Sequence, residues 1–188
     1  MPTVKAGVLA LQGDFREHAR TLALAGASPI EVRTVADLAG VDLLVIPGGE
    51  STTMGKLATA GGLVAPVRER IRAGMPVLGT CAGMIVLASR VEGGDPLFAV
   101  LDVTVRRNAY GRQVDSFEAD VDVRGIDHRV RGVFIRAPRV EDVGADVDVL
   151  AEHEGHPVVL EQGNIVVASF HPELVGETAL HEYVLRKV

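Results

Sequence analysis

The sequence has no tryptophan and a single cysteine, Cys81. One thiol cannot close an internal disulfide, which points to a reducing compartment and hence the cytoplasm. Aromatic residues make up only 4% of the chain, so the core must be aliphatic. No apolar run reaches the roughly 20 residues that span a bilayer, and the N-terminus lacks the basic region, apolar run and cleavage site of a signal peptide. Acidic residues outnumber basic ones, 25 to 19, the net charge is −6, and arginine is locally dense only in the dispersed set within 106–112. Nucleic acid and anionic membrane are therefore excluded as expected partners. What is present is 47% hydrophobic and 23% charged residues with a positive mean hydropathy, the balance of a compact protein. A length of 188 residues fits one domain, 1–188, with room for a sizeable core.

The lone cysteine stands in Val77-Leu78-Gly79-Thr80-Cys81-Ala82-Gly83-Met84-Ile85. This reads as a short apolar strand, a glycine-flanked turn and the start of an apolar helix. Gly-x-Cys-x-Gly is the thiol counterpart of the nucleophile elbow Gly-x-Ser-x-Gly. A tight strand-to-helix turn strains the backbone of its central residue and requires small neighbours, which Gly79 and Gly83 supply. The helix that follows aims free N–H groups and its positive dipole end at the sulfur, lowering a thiol pKa toward the reactive thiolate. The same N–H groups can hold an oxyanion. A free cysteine is more often a small buried hydrophobe, but the flanking glycines argue for the nucleophile. A phosphate loop is excluded, because no Gly-Lys-Ser/Thr follows.

The flanking chain predicts an α/β fold. Val4–Leu11 is a strand buried on both faces, as in a parallel sheet. Asp14 is placed to cap a helix running to about Ala25, and Gly26 stops it. Strands at Pro29–Val32 and Val41–Ile46 enclose a helical turn at Val35–Leu38. This β-α-β-α-β order argues for a doubly wound, flavodoxin-like open sheet, mostly parallel, with helices on both faces. Helices follow at Met54–Ala60 and Leu63–Ala73, and Ala82–Ser89 is predicted as a third. Beyond it, Val100–Val105, Phe117–Val123 and Val130–Ile135 predict an antiparallel extension. Val147–Ala151, Pro157–Gln162 and Ile165–Phe170 are further strands, with Gln162-Gly163-Asn164 as a hairpin turn.

Functional sites in open α/β sheets lie beyond the carboxyl ends of the strands. Pro47-Gly48-Gly49-Glu50-Ser51-Thr52-Thr53 occupies such a place. Its adjacent glycines either turn N–H groups toward an anion or form a plain turn with a Ser/Thr helix cap. The last strand ends in Ser169-Phe170-His171-Pro172-Glu173. On extended backbone His171 and Glu173 point to one side, roughly 6.6 Å apart along the chain, and Pro172 stiffens the piece between them. A carboxylate so placed orients an imidazole by accepting one N–H, leaving the other nitrogen for a nucleophile. His18, His128, His153, His156 and His181 lie among polar neighbours and are predicted to be surface or capping groups. None stands at metal-ligand spacing, so neither a metal nor a cofactor is expected.

Pro-Gly-Gly-Glu-Ser-Thr-Thr, Gly-Thr-Cys-Ala-Gly and Ser-Phe-His-Pro-Glu, in that order, resemble the class I glutamine amidotransferases. Leu-Gln-Gly near the N-terminus, Arg-Asn-Ala-Tyr-Gly-Arg-Gln-Val-Asp-Ser-Phe-Glu from Arg107 and Val-Phe-Ile-Arg-Ala-Pro from Val133 narrow the resemblance to the glutaminase subunits of pyridoxal phosphate synthase. The resemblance covers almost the whole chain. It implies a Cys81–His171–Glu173 triad and L-glutamine held by Gly49, Glu50, Ser51, Arg107, Ile135 and Arg136. An oxyanion hole is expected at the N–H groups of Gly49 and Ala82. It also implies a partner, a barrel-shaped synthase that uses the released ammonia to make pyridoxal 5′-phosphate in a large hetero-oligomer. Arg107 and Arg136 are both candidates for the substrate carboxylate, which guanidinium matches bidentately. Two other readings share these residues, a stand-alone cysteine hydrolase of another small amide or ester and a catalytically silent regulatory domain. The full Cys, His and Glu set argues against silence.

Overall fold

The computed structural model describes residues 2–107 and 116–188. The loop expected within 106–113 falls mostly in 108–115, outside the described residues. The chain begins β1 (Lys5–Leu9), α1 (Phe15–Leu24), β2 (Ser28–Val32), α2 (Val35–Ala39), β3 (Leu43–Ile46), α3 (Ser51–Ala60) and α4 (Val64–Arg72). It continues β4 (Val77–Thr80), α5 (Ala82–Leu87), β5 (Ala88–Glu92), β6 (Leu101–Arg106), β7 (Phe117–Val121), β8 (Val130–Phe134) and β9 (Arg139–Val143). It ends β10 (Asp148–His153), β11 (His156–Gln162), β12 (Ile165–Ala168), a 3₁₀ turn at Glu173–Val175 and α6 (Ala179–Leu185).

A seven-stranded sheet in the order β10-β11-β12-β4-β3-β1-β2 forms the centre. From β12 to β2 neighbouring strands are parallel, while β10 and β11 add antiparallel pairs at one edge. The middle strands are buried on both faces, and the two-residue period of a strand sends alternate side chains to opposite cores. In β3, Leu44 and Ile46 enter one core while Leu43 and Val45 enter the other. In β12, Ile165 and Val167 divide from Val166 in the same way. The first core takes Met54 of α3, Ile71 of α4 and Leu87 of α5. The second takes Leu22 of α1 and Leu180 and Val184 of α6. Helices therefore cover both faces, as the apolar runs predict.

Four details differ from the sequence reading. The strands expected as an antiparallel extension of the main sheet, β6, β7 and β8, lie in two small sheets of their own, β5-β6-β9 and β7-β8. The helix from Ala82 stops at Leu87, and the chain passes directly into β5, which pairs parallel with β6 rather than antiparallel. The strand β9, unpredicted in the polar run Arg139–Val143, closes this small sheet antiparallel to β6. The helix α3 starts at Ser51, earlier than expected, because the Glu50 carboxylate accepts the N–H groups of Thr52 and Thr53 and caps it. The β11–β12 hairpin turns at Gly163 with φ +59, as its residues predict.

Candidate active site

Cys81 lies between β4 and α5 with φ +50 and ψ −107, a strained conformation for a residue with a side chain. Its N–H donates to the Ala168 carbonyl at 2.9 Å, and its own carbonyl accepts from Met84 at 3.0 Å. The flanking glycines are required by close approach. A Cβ on Gly83 would lie 2.2 Å from the Ile46 carbonyl oxygen, and one on Gly79 would lie 2.8 Å from Gly83 backbone. The helix can thus leave the sheet at once, with the thiol at the strand end. Cys81 is 6% exposed, and its Sγ lies 3.7 Å from the Ile135 carbonyl oxygen.

His171 is pinned by its backbone, donating to Val133 O at 2.8 Å and accepting from Val133 N–H at 3.1 Å. Glu173 is not on extended chain as expected. Pro172 is helical at φ −73 and ψ −30, and Glu173 opens the 3₁₀ turn. The turn folds the carboxylate back onto the ring, with Oε1 2.7 Å from His171 Nδ1. Asp14 is a second correction. Its side chain makes no capping bond to α1; its Oδ2 instead lies 3.0 Å from the same His171 Nδ1. The side chain of Glu173 is fully buried and that of Asp14 is 17% exposed.

His18 and His181, expected at the surface, are both fully buried behind this group. His18 Nδ1 is 2.8 Å from His181 Nε2, and His18 Nε2 is 3.0 Å from Thr80 Oγ1 and 3.4 Å from Glu173 Oε1. The helices α1 and α6 bring these rings beneath the sheet end from distant parts of the chain. Asp14, His18, Thr80, His171, Glu173 and His181 form a continuous polar path. Asp14, His18 and Glu173 bring ligand-type atoms within 4.8 Å of one another, the one such cluster among the described residues. Those atoms are already engaged by His171 and Thr80, which suits a hydrogen-bonded relay.

Burial works to lower the His171 pKa, but its hydrogen bonds to Asp14, Cys81 and Glu173 outweigh this and push it up to about 12. Burial also works to raise Asp14, yet its bonds to His171 and Glu173 hold it well below the usual carboxylate range. Glu173 moves the opposite way, pushed up first by burial and then by the facing Asp14. Burial pushes His18 down to about 4 and also lowers His181, so the rear pair is neutral.

A cavity of about 500 Å³ opens above the thiol. Gly49, Glu50, Ser51, Cys81, Ala82, Arg107, Ile135, Arg136 and His171 line it; Glu173 stands behind His171. Of the residues singled out from the sequence, all but Glu173 therefore reach one cavity wall. The wall residues Gln12, Asp14, Ile85 and Leu174 were not singled out as functional. Gln12 Oε1 accepts the Glu50 N–H at 2.7 Å and steadies the glycine loop. The available signal was position, since Leu11-Gln12-Gly13-Asp14 leaves the carboxyl end of β1, where sites of such sheets gather. Glu50 is committed to its cap and to Arg107, whose Nη2 lies 3.3 Å from Oε1. The hydrogen bond from Thr53 is the main cause that draws the Glu50 pKa down to about 2.

Comparison with known proteins decides the family. The SNO glutamine amidotransferase family matches residues 8–188. The chain belongs to this family. It is 57% identical over 185 residues to a pyridoxal 5′-phosphate synthase subunit PdxT of Streptomyces avermitilis, covering 96% of this chain and 92% of that one. It is 54% identical over 193 residues to the subunit of the same name from Acidothermus cellulolyticus, covering 98% and 93%. A crystal structure described as a glutamine amidotransferase superposes with a TM-score of 0.92 at 48% identity, covering 97% of each chain. PurLQS from Thermotoga maritima, at 17% identity and a TM-score of 0.74, covers 100% of this chain and 97% of that one and shares the fold alone. Among the described residues of this SNO family member, no helix is long and apolar enough to cross a membrane.

Proposed function

We propose that this chain is the glutaminase subunit of a pyridoxal 5′-phosphate synthase, a single cytoplasmic domain that hydrolyses L-glutamine and delivers ammonia to a synthase partner. The observation that carries this reading is the strained Cys81 facing one cavity with a carboxylate-bound His171, in a chain that belongs to a glutamine amidotransferase family. The names of its relatives supply the partner.

The chemistry follows from the arrangement. Cys81 thiolate, stabilised by the His171 imidazolium, attacks the side-chain amide carbon of glutamine. The tetrahedral oxyanion is held by N–H groups of Gly49 and Ala82. His171 gives its proton to the departing ammonia, and the C–N bond breaks to leave a glutamyl thioester. Water then attacks, His171 accepts its proton, and glutamate leaves as the thiolate reforms. Arg107 and Arg136 face the α-carboxylate of glutamine, while Ser51 and the Ile135 backbone complete the pocket.

Two substitutions test the histidine. Gly48→Ala is expected to cut turnover by about 100-fold, the cost of displacing a reacting group by about 1 Å. A Cβ there would lie 2.2 Å from His171 Cε1, so the ring must move. Near wild-type glutamate release from folded Gly48→Ala would show that ring position is unimportant. His171→Ala is expected to be more damaging than Glu173→Gln, because an amide still holds the ring but cannot stabilise the imidazolium. Steady-state assays of both proteins check the order; wild-type turnover in His171→Ala would make the pair structural. Glutamine assayed against asparagine and a simple ester, with and without synthase, tests the substrate. Preference for the ester would favour a stand-alone hydrolase.

A further inference from the structure

The His171 ring has two carboxylates on one nitrogen, although the proposed triad uses one. Nδ1 carries one hydrogen at most, yet Glu173 Oε1 lies 2.7 Å and Asp14 Oδ2 3.0 Å from it. Asp14 reaches this place by design of the local chain. Gly13, at φ +92, turns the backbone, the Asp14 N–H donates to Gly48 O at 3.3 Å, and the side chain gives up the cap of α1. A charge-assisted bond to an imidazolium is stronger than the N-cap bond that Asp14 forgoes.

Two carboxylates in contact cannot both remain ionised in a buried site without strong repulsion. Each also leaves its second oxygen, Asp14 Oδ1 and Glu173 Oε2, buried with no partner among the described residues. Two full charges there would leave two unsatisfied anionic oxygens; one added proton relieves both problems. The groups facing His171 are Asp14 from the start of α1, Glu173 from the 3₁₀ turn and Cys81 from the elbow. The neutral His18 touches Glu173 from behind, and the charged groups that line the cavity with the ring are Asp14, Glu50, Arg107 and Arg136.

We propose that Asp14 is a second positioning carboxylate for His171, and that Asp14 and Glu173 act as a pair holding one proton and one negative charge against Nδ1–H. The pair rests on the reading of His171 as the triad base. Either member can carry the charge. When Glu173 is changed to an amide, Asp14 keeps the imidazolium; when Asp14 is changed, Glu173 loses its like-charged neighbour and ionises in its place. Only loss of both removes the anion. The direction of the pH effect follows. An imidazolium with a raised pKa persists until pH climbs through that pKa, so removing its anion brings the alkaline loss to lower pH.

The test is a titration of the His171 ring nitrogens by NMR in the full chain, for wild type, Asp14→Asn, Glu173→Gln and the double variant. Asn keeps the shape and capping ability of Asp, and folding is checked from the same spectra. Each single variant is expected to move the His171 titration by less than about 1 pH unit, and the double variant to lower it by about 1–3 units, the effect of a lost contact charge. On the synthase partner, kcat/KM of the double variant is expected about tenfold below that of Glu173→Gln alone, the size of a coupling between touching residues. Its alkaline limb should shift by the same amount as the NMR titration. A double variant that titrates like Glu173→Gln would overturn the pair. The NMR reading does not use glutamine, so it stands or falls separately from the glutaminase assignment.

Discussion

Cys81→Ala is expected to abolish glutamine hydrolysis while leaving the fold intact. The methyl side chain of alanine still fits at a residue that is 6% exposed, and it gives up only the long contact to Ile135 O and the one to His171. The backbone strain at φ +50 is retained at the same position, so stability changes little. The reaction, by contrast, loses the atom that forms the thioester. Removal of the nucleophile from a triad costs about 10⁶ in kcat in other hydrolases, because the remaining members act only through it. The measurement is glutamate release by purified Cys81→Ala on the synthase, with circular dichroism as the control for folding. Since the chain has no second thiol, mass spectrometry after alkylation confirms that the nucleophile is gone. Turnover within about tenfold of wild type would eliminate covalent catalysis by Cys81.

The isolated chain is expected to be 10² to 10³ slower, to order of magnitude, than the chain on its synthase, the usual effect of one missing oxyanion donor. The switch is expected in the Gly48–Gly49 peptide. Gly48 O accepts the Asp14 N–H at 3.3 Å, and Gly49 stands at φ +144, where a Cβ would meet Gln12 Oε1 at 2.3 Å. Only glycine gives a peptide this freedom to rotate. Rotation breaks one long hydrogen bond, worth about 1 kcal/mol net, which docking of a partner can readily offset. Coupling the N–H to assembly would stop the free subunit from wasting glutamine. The experiment measures glutamate release by the free chain and then during titration with synthase. Rates that do not change with synthase would exclude the switch and favour a stand-alone hydrolase.

The strongest features of the fold and site were legible because their causes are local. A parallel strand buried on both faces must be apolar throughout, so β1, β3 and β12 stood out as runs. The elbow needed small residues on both sides of Cys81 for close approach, and Gly79 and Gly83 announce that need within five positions. The cavity wall at Gly49, Glu50 and Ser51 followed from its place after β3. Boundaries were less legible. The helix after Cys81 yields to β5 at Ala88, a decision made by pairing with β6, from which it is separated in sequence.

Only the tertiary structure decided what lies behind the histidine. His18 and His181 are 163 positions apart, and each stands beside a glutamate in sequence, Glu17 and Glu182. Packing of α1 and α6 on one face of the sheet buries both and makes each the other's partner. Asp14 looked like a helix cap because the residues beside it offer nothing better than α1's free N–H groups. Its actual partner, His171, lies 157 positions away. Sequence reports the local choices open to a polar side chain. Which one it takes depends on a charged group that folding brings to it, and burial makes that contact stronger than the local cap.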